Sequence, residues 1–377
     1  MMNKNNVFFL IIMSFFVLAA CSNDDNFNLP DDDGSQQDDD DVGNDDDDIS
    51  LGAFQTGVLI SNEGPFNTGA GSISFIDEDL NSVENNIYET VNGETLGNIV
   101  QSIGFDAQDR AYIISNISSR LDIVDRFTFE QIFRIENGLV QPRYFVEANG
   151  FGYISNWGDP FDPSDDYIAV LDLTDFSITT TIPVSEGPER LLYNGTNIYV
   201  TQRGGFGVNN LVTVIDPTTN EIVTEIDVAD RPNKLELDTQ GNLWVLAPGI
   251  DPFDDTQEET IGRLSRINTT TNMVDQVFNF PLGQHPESLT LDRDIIYYFL
   301  DGGIFSGNAL DFLLPNEPNF IVASNLFNME AEGGILYGCN AADFNSNGSI
   351  ELYDTNTGQL TDSFTVDLVP GNIYFVD

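Results

Sequence analysis

The chain has 377 residues, with 62 Asp and Glu against 13 Lys and Arg, for a formal net charge of −49. A surface of that sign repels nucleic acid and anionic lipid, so neither is an expected partner. A single histidine rules out multi-histidine metal sites, and two cysteines allow one disulfide at most.

Residues 1–20 read as a signal peptide: Lys4, an apolar run from Val7 to Leu18, then small residues. The run is too short for a comfortable membrane span. Leu18-Ala19-Ala20-Cys21 looks like a bacterial lipobox, which makes Cys21 the lipidated residue and the anchor to an outer membrane. The alternative is an ordinary cleavage site beside a chance cysteine. Lipid on Cys21 leaves Cys339, in the apolar run ILYGCN, as an inert buried thiol. Residues 21–48 follow as the lipidated cysteine and an acidic tether, with 13 Asp and no basic residue. Such a stretch buries too little apolar surface to order itself, and its charges repel. Its start, Cys21-Ser22-Asn23-Asp24-Asp25, resembles the acidic signal that sends Bacteroidota lipoproteins to the outer leaflet of the outer membrane.

Residues 49–377 read as one folded domain, still with 49 acids (62 − 13) against 12 bases (13 − 1). The stretch Asn197–Gly241 sets its pattern. Four runs (NIYVTQ, LVTVID, EIVTEIDV and NKLELD) alternate as half-buried strands, and DPTTN between two of them is a turn. The unit recurs. Pro142, Pro188, Pro232 and Pro286 precede the fourth run at steps of 46, 44 and 54, and Pro370 lies 84 further on, two steps of 42. A polar residue closing the third run keeps the same beat at Asp77, Asp125, Asp172, Asp216, Asn268, Asp311 and Asp354. Seven four-strand units, the sixth degenerate, predict an all-β, seven-bladed propeller of antiparallel blades. Gly57–Asn62 matches a second strand and Gly371–Asp377 a first strand. The C-terminal strand therefore joins the N-terminal blade and closes the ring, removing free edges.

The connections after each second strand are long and dissimilar: Asn62–Gly71, Asn156–Asp166, Gln202–Asn210, Ala247–Thr260, Asp301–Asn308 and Asn340–Gly348. Those after the third strand are short. An up-and-down blade puts the long loops on the same face as the entries to the inner strands, which carry Arg143, Arg190, Lys234 and His285. That face gathers Phe66, Trp157, Phe161, Arg203, Phe206, Phe253, Phe305 and Phe344. Aromatic platforms with guanidinium and amide donors suit a bulky, partly apolar ligand. The bland alternative is that each aromatic tucks under its own loop. Asp159, Asp162, Asp165 and Asp166, or Asp251, Asp254 and Asp255, have the ligand type for calcium, but Asp-Pro turns explain both stretches. His285 occupies a slot filled elsewhere by Gly187, Arg231 and Val369, so it reads as a turn position before a base. No GxSxG, HExxH or Walker loop appears, so no enzyme, cofactor or metal is expected; paired acids of a glycosidase remain open.

The NIYVT, VTVID, EIVTEI and RPNKLELD register resembles the YncE-like seven-bladed propellers. With the lipobox and tether it is similar to their Bacteroidota surface-lipoprotein branch, which includes the cobalamin-binding BtuG. That resemblance implies a non-enzymatic, surface-exposed lipoprotein that captures a small nutrient, a corrinoid favoured, and passes it to a TonB-dependent outer-membrane receptor. It carries over only Cys21. The rivals are a protein- or glycan-binding adhesion propeller and, behind it, a propeller lactonase or lyase.

Overall fold

A computed structural model describes residues 52–377 apart from Asn67, Pro160, Pro252 and residues 254–256. The signal peptide, Cys21 and the acidic tether lie outside the described residues. What is described is a ring of seven four-stranded antiparallel sheets, as the repeat predicts. The inner strands, in ring order from blade 1, are Pro370–Val376, Val100–Phe105, Pro142–Ala148, Pro188–Tyr193, Lys234–Leu237, Ser288–Asp292 and Leu326–Glu332. Blade 1 joins the last strand of the chain to the first: Gly57–Asn62 pairs antiparallel with Pro370–Val376, so the chain ends close the ring by hydrogen bonds.

The middle strands are not half-buried as their alternation suggests. Leu211–Asp216 is buried through its four central residues, and Gly57–Asn62 throughout. Each blade is stacked between two others, so both faces of a middle strand meet apolar neighbours and alternation loses its meaning. Only outer strands such as Glu221–Asp227 are mostly exposed. The core accordingly divides into seven clusters, one between each adjacent pair of blades. The polar marker closing the third strands is a side-chain turn. Asp216 Oδ1 accepts from the Thr218 amide at 2.8 Å and its hydroxyl at 2.7 Å, and Asp172 and Asp354 do the same with Thr174 and Thr357.

The sixth blade departs from expectation. Asp301–Asn308 is not a loop: Gly303–Asn308 is the third strand, reached by a tight turn in which Asp301 and Gly302 both take positive φ (51° and 78°). That strand ends at Asn308, not Asp311, and Asn308 Oδ1 accepts the Leu310 amide. A short helix, Ile87–Asn92, follows the two-residue outer strand of blade 1 and packs Ile87 and Tyr88 into the core.

Candidate functional site

Second strands run antiparallel to inner strands, so the end of one faces the start of the other. Gln202 pairs with Pro188, Asn156 with Pro142 and Asn62 with Pro370. The long loops and the inner-strand entries therefore share one face, as expected from the sequence. At the centre of that face is a mouth of about 270 Å³, to which every inner strand contributes at or beside its first residues: Gln101, Arg143, Arg190, Lys234, Glu287, Asn328 and Asn372. Glu63, Tyr144, Glu189, Arg203, Asn233, Phe327 and Gly371 complete its wall.

A repeated backbone device aims these residues. Gln141, Gly187, Arg231 and Val369, each just before its marker proline, hold left-handed φ values of 49°, 70°, 60° and 58°. The chain turns there, and the residues after the proline enter the mouth. At Gly187 the glycine is obligatory, since a Cβ would stand 2.0 Å from the Gly205 nitrogen. The close approach seats the next loop, where the Arg203 amide donates to Gly187 O at 2.8 Å and Asn209 Nδ2 to Glu186 O at 3.0 Å.

Amides link five blades around the mouth. Ser288 Oγ donates to Asn328 Oδ1 (2.9 Å), Asn328 Nδ2 to Asn372 Oδ1 (3.1 Å), Asn372 Nδ2 to Gln101 O (2.9 Å), and Gln101 Nε2 to the Tyr144 hydroxyl (3.3 Å). Arg143 grips Glu189 with two hydrogen bonds (3.0 and 2.7 Å), gives a third to Gln101 Oε1, and lies 4.1 Å above the Trp157 ring centre. Burial resists ionisation of Glu189, but Arg143, with Arg203 and Arg190 behind it, outweighs burial and holds the carboxyl below its usual range. Arg190 reaches Asn372 Oδ1 at 2.6 Å and stacks on Tyr144 at 4.6 Å. Glu63 and Glu287 are pushed up by burial. Deeper in the channel Lys234 contacts Glu330 at 3.2 Å. Burial and the Arg190 charge lower Lys234, while burial and the Glu330 charge raise Glu236.

Arg143, Arg190, Arg203 and Lys234 thus line the mouth. Trp157 does not: it is 7% exposed, donates Nε1 to Pro188 O at 3.0 Å and serves as the floor under Arg143. From it an aromatic stair climbs to the rim, with Phe206 at 6.0 Å edge-on and Phe161 stacked on Phe206 at 5.3 Å. Phe344 meets Phe327 at 5.7 Å across the ring. Phe66, Phe161, Phe206, Phe253 and Phe344 are all exposed on loops, so these phenylalanines do not tuck back into the blades. Phe305 is placed otherwise. It sits in the third strand of blade 6, stacked on Tyr298 at 5.0 Å within the core between blades 5 and 6. The cause is the tight Asp301-Gly302 turn, which returns the chain at once into a strand where a long loop is expected. His285 bonds Pro248 O through Nδ1 (2.9 Å) and approaches Glu259 through Nε2 (3.3 Å), fastening loops outside the mouth. Asp159 and Asp162 are engaged in local turns with Phe161 and Ser164, and among the described residues no group of three acids, histidines or cysteines stands ready for a metal.

Sequence reading missed Glu63, Gln101, Glu189, Glu287, Phe327, Asn328 and Asn372. Glu189, Glu287 and Asn372 were findable, because the marker proline fixes the repeat's phase and the residues one or two places after it fill the same slot in the blades that carry it.

Closed ring, polar central mouth and variable loops on one face define the class: an all-β, seven-bladed propeller of four-stranded antiparallel blades. The chain belongs to the family described as a domain of unknown function (DUF5074), whose model matches residues 56–303. No curated protein matches the sequence. Among solved structures it is similar to a quinonprotein alcohol dehydrogenase-like protein from Bacteroides thetaiotaomicron, at 15% identity and TM-score 0.63, over 86% of this chain and 79% of that one. It is also similar to BamB from Moraxella catarrhalis, at 13% identity and TM-score 0.52, over 83% and 84% of the two chains. Kuenenia stuttgartiensis hydrazine synthase matches at 15% identity and TM-score 0.52, over 74% and 89%. At these identities the likeness is one of fold.

Proposed function

We propose that this protein is a non-enzymatic, lipid-anchored surface receptor that captures a small nutrient at the central mouth and passes it to a TonB-dependent outer-membrane transporter. The observation that carries the reading is the contrast within one face: guanidinium, ammonium and amide groups inside the ring, exposed phenylalanines on the loops around it. A space of about 270 Å³ takes one arm of a large ligand, not its body. The body rests on Phe161, Phe206, Phe327 and Phe344 while a polar arm enters the mouth. Corrinoids, with a broad ring edged by amide arms, have that form, and the resemblance to the YncE-like surface lipoproteins points the same way. Anchoring and surface exposure rest on the Cys21 lipobox and the acidic tether. Calorimetric titration with cyanocobalamin and cobinamide tests the reading: tight one-to-one binding supports it, and no heat with either removes the corrinoid. A second reading, a protein-binding propeller, is favoured by the extreme exposure of Phe253 (92%) and Phe161 (82%). Pull-down of outer-membrane proteins lost in a Phe253→Ser variant that still binds its small ligand separates the two.

A further inference from the structure

We propose that Arg203 and Arg190, both from blade 4, form an oxyanion subsite in the mouth, and that the ligand presents a phosphate or carboxylate group to it. The inference rests on the reading of the mouth as the ligand site and names the chemistry of the arm that enters.

Four cationic side chains line the mouth, and they are not equivalent. Arg143 is satisfied: Glu189 takes two of its donors, Gln101 a third, and the Trp157 ring covers its face. Lys234 has Glu330. Arg190 has no carboxylate; it donates to the amide oxygen of Asn372 and stacks on Tyr144. The Arg203 side chain has no hydrogen bond or ion pair among the described residues, and its Nε is buried without an acceptor. A buried donor left unpaired is costly, so its acceptor comes from outside the chain. The neighbouring Glu189 feels the Arg203 charge, but its oxygens are turned to Arg143 and it makes no hydrogen bond or ion pair with Arg203 among the described residues.

The two arginines are anchored by different means, Arg203 through its backbone and Arg190 through its head as well. Arg203 leaves the backbone where its amide is pinned to Gly187 O, beside the close contact of Gly187 with Gly204 and Gly205. Arg190 sits two residues after Pro188, its amide donating to Thr201 Oγ1 at 3.1 Å and its head fixed by Asn372 and Tyr144. Planar forks with spare N–H groups, preorganised and partly dehydrated, match a planar carboxylate or a phosphoryl group far better than a lone carbonyl. A carboxylate fits this chemistry as well as a phosphate, and the test distinguishes them.

The full chain is titrated with inorganic phosphate and, separately, with acetate, against sodium chloride at matched ionic strength, following thermal unfolding. Phosphate at ten times its Kd raises the wild-type Tm by about 1–3 °C over chloride. Arg203→Gln removes no hydrogen bond and only the weaker, more distant charge support for Glu189, so it stays folded in chloride, and it loses the phosphate response. Should Arg203→Gln destabilise the protein, Arg203→Lys keeps the charge, removes the fork and weakens phosphate at least about 10-fold. A response to acetate as well marks a general oxyanion site; a response to phosphate alone marks a phosphoryl site. A wild-type protein indifferent to both anions, or an Arg203→Gln response equal to wild type, overturns the proposal. Because neither probe is a corrinoid, this result is independent of cobalamin binding. Failure of both corrinoids to bind with the phosphate response intact refutes the corrinoid and leaves the subsite standing.

Discussion

Replacing Arg143 with Met tests whether the mouth's polar wall is held as one unit. The exchange strips both hydrogen bonds from Glu189, whose side chain is 5% exposed and whose carboxylate accepts from no other group among the described residues. Breaking a buried pair from one side costs about 3–5 kcal/mol, because a dehydrated charge is left behind. Glu189→Gln alone costs less, about 1–3 kcal/mol, since Arg143 keeps Gln101 as acceptor and the Trp157 face as support. In the double variant the stranded charge is gone, so the two costs fall short of adding by about 2 kcal/mol. The pH dependence has a definite sign. In the wild type Glu189 sits below its ordinary value of 4.5, so its contribution is present above that pH and is lost as pH falls. In Arg143→Met, burial acts with less opposition and the folded pKa rises. The variant is then penalised most at neutral pH and recovers relative to wild type as the solution is acidified. Urea unfolding followed by far-ultraviolet circular dichroism at pH 7 and pH 4.5 gives the four stabilities. Additive single costs, or a gap between wild type and Arg143→Met that does not narrow at the lower pH, would refute the coupled-wall account.

Other positions separate packing from binding. Trp157→Ala lowers stability by about 3–5 kcal/mol, because Trp157 is a buried floor with a bonded Nε1. Phe206→Ser leaves stability within about 0.5 kcal/mol and weakens ligand binding in the same titration, or the aromatic stair plays no part. Asp166, 3% exposed, is raised by burial to about 7 even though it accepts the Gly187 amide at 3.1 Å. Its folded pKa lies above the ordinary 3.8, so it takes stability away as pH rises from about 4 through 7. Asp166→Asn keeps the acceptor, flattens that slope and gains about 1–3 kcal/mol at pH 8, measured by Tm across the range. Arg126 donates to Gln55 O and Asp377 O at 3.0 Å each, clamping the closure of the ring. Arg126→Gln should cost about 1–3 kcal/mol in urea unfolding; an unchanged midpoint would show that the strand pairing alone closes the ring.

The fold was legible because its punctuation is chemical. Marker prolines and strand-closing Asp residues recur since each blade needs the same entry turn and the same side-chain cap, whatever else it carries. The sixth blade was misread where the punctuation was present but weighed wrongly. Leu300-Asp301-Gly302-Gly303 is a two-residue hairpin signal, and reading it as a long loop moved Phe305 from a strand to the surface. The site was half legible. Arg143, Arg190, Arg203 and Lys234 stood out by charge in an acidic chain. Gln101 and Asn328 did not, because no marker proline precedes them to fix their place in the repeat and amide residues are common here. Trp157 shows the converse limit: its loop context announced exposure, while the guanidinium above it and the carbonyl at its Nε1 were contributed by other segments.

The inner-strand slot explains why such a face is suited to capture. Backbone pairing within each blade holds the strand, and the apolar load is carried between blades, so the slot facing the axis is released from most demands of stability. Filled for stability alone, it would be apolar, since a buried ion pair gains little over well-packed hydrocarbon. Instead the slot holds Lys234, bonded to Glu330, and Gln101, Arg143, Arg190, Asn328 and Asn372, joined to one another by hydrogen bonds that fix their heads before any ligand arrives. The apolar side chains that stability would call inward stand on loop tips, where water makes them unfavourable: Phe161 is 82% and Phe206 is 65% exposed. Polar groups inside and aromatic groups outside invert the usual order of a protein core. A ligand with a polar arm and an apolar body restores that order on binding: the arm meets prepaid hydrogen bonds, and the body removes the exposed rings from water.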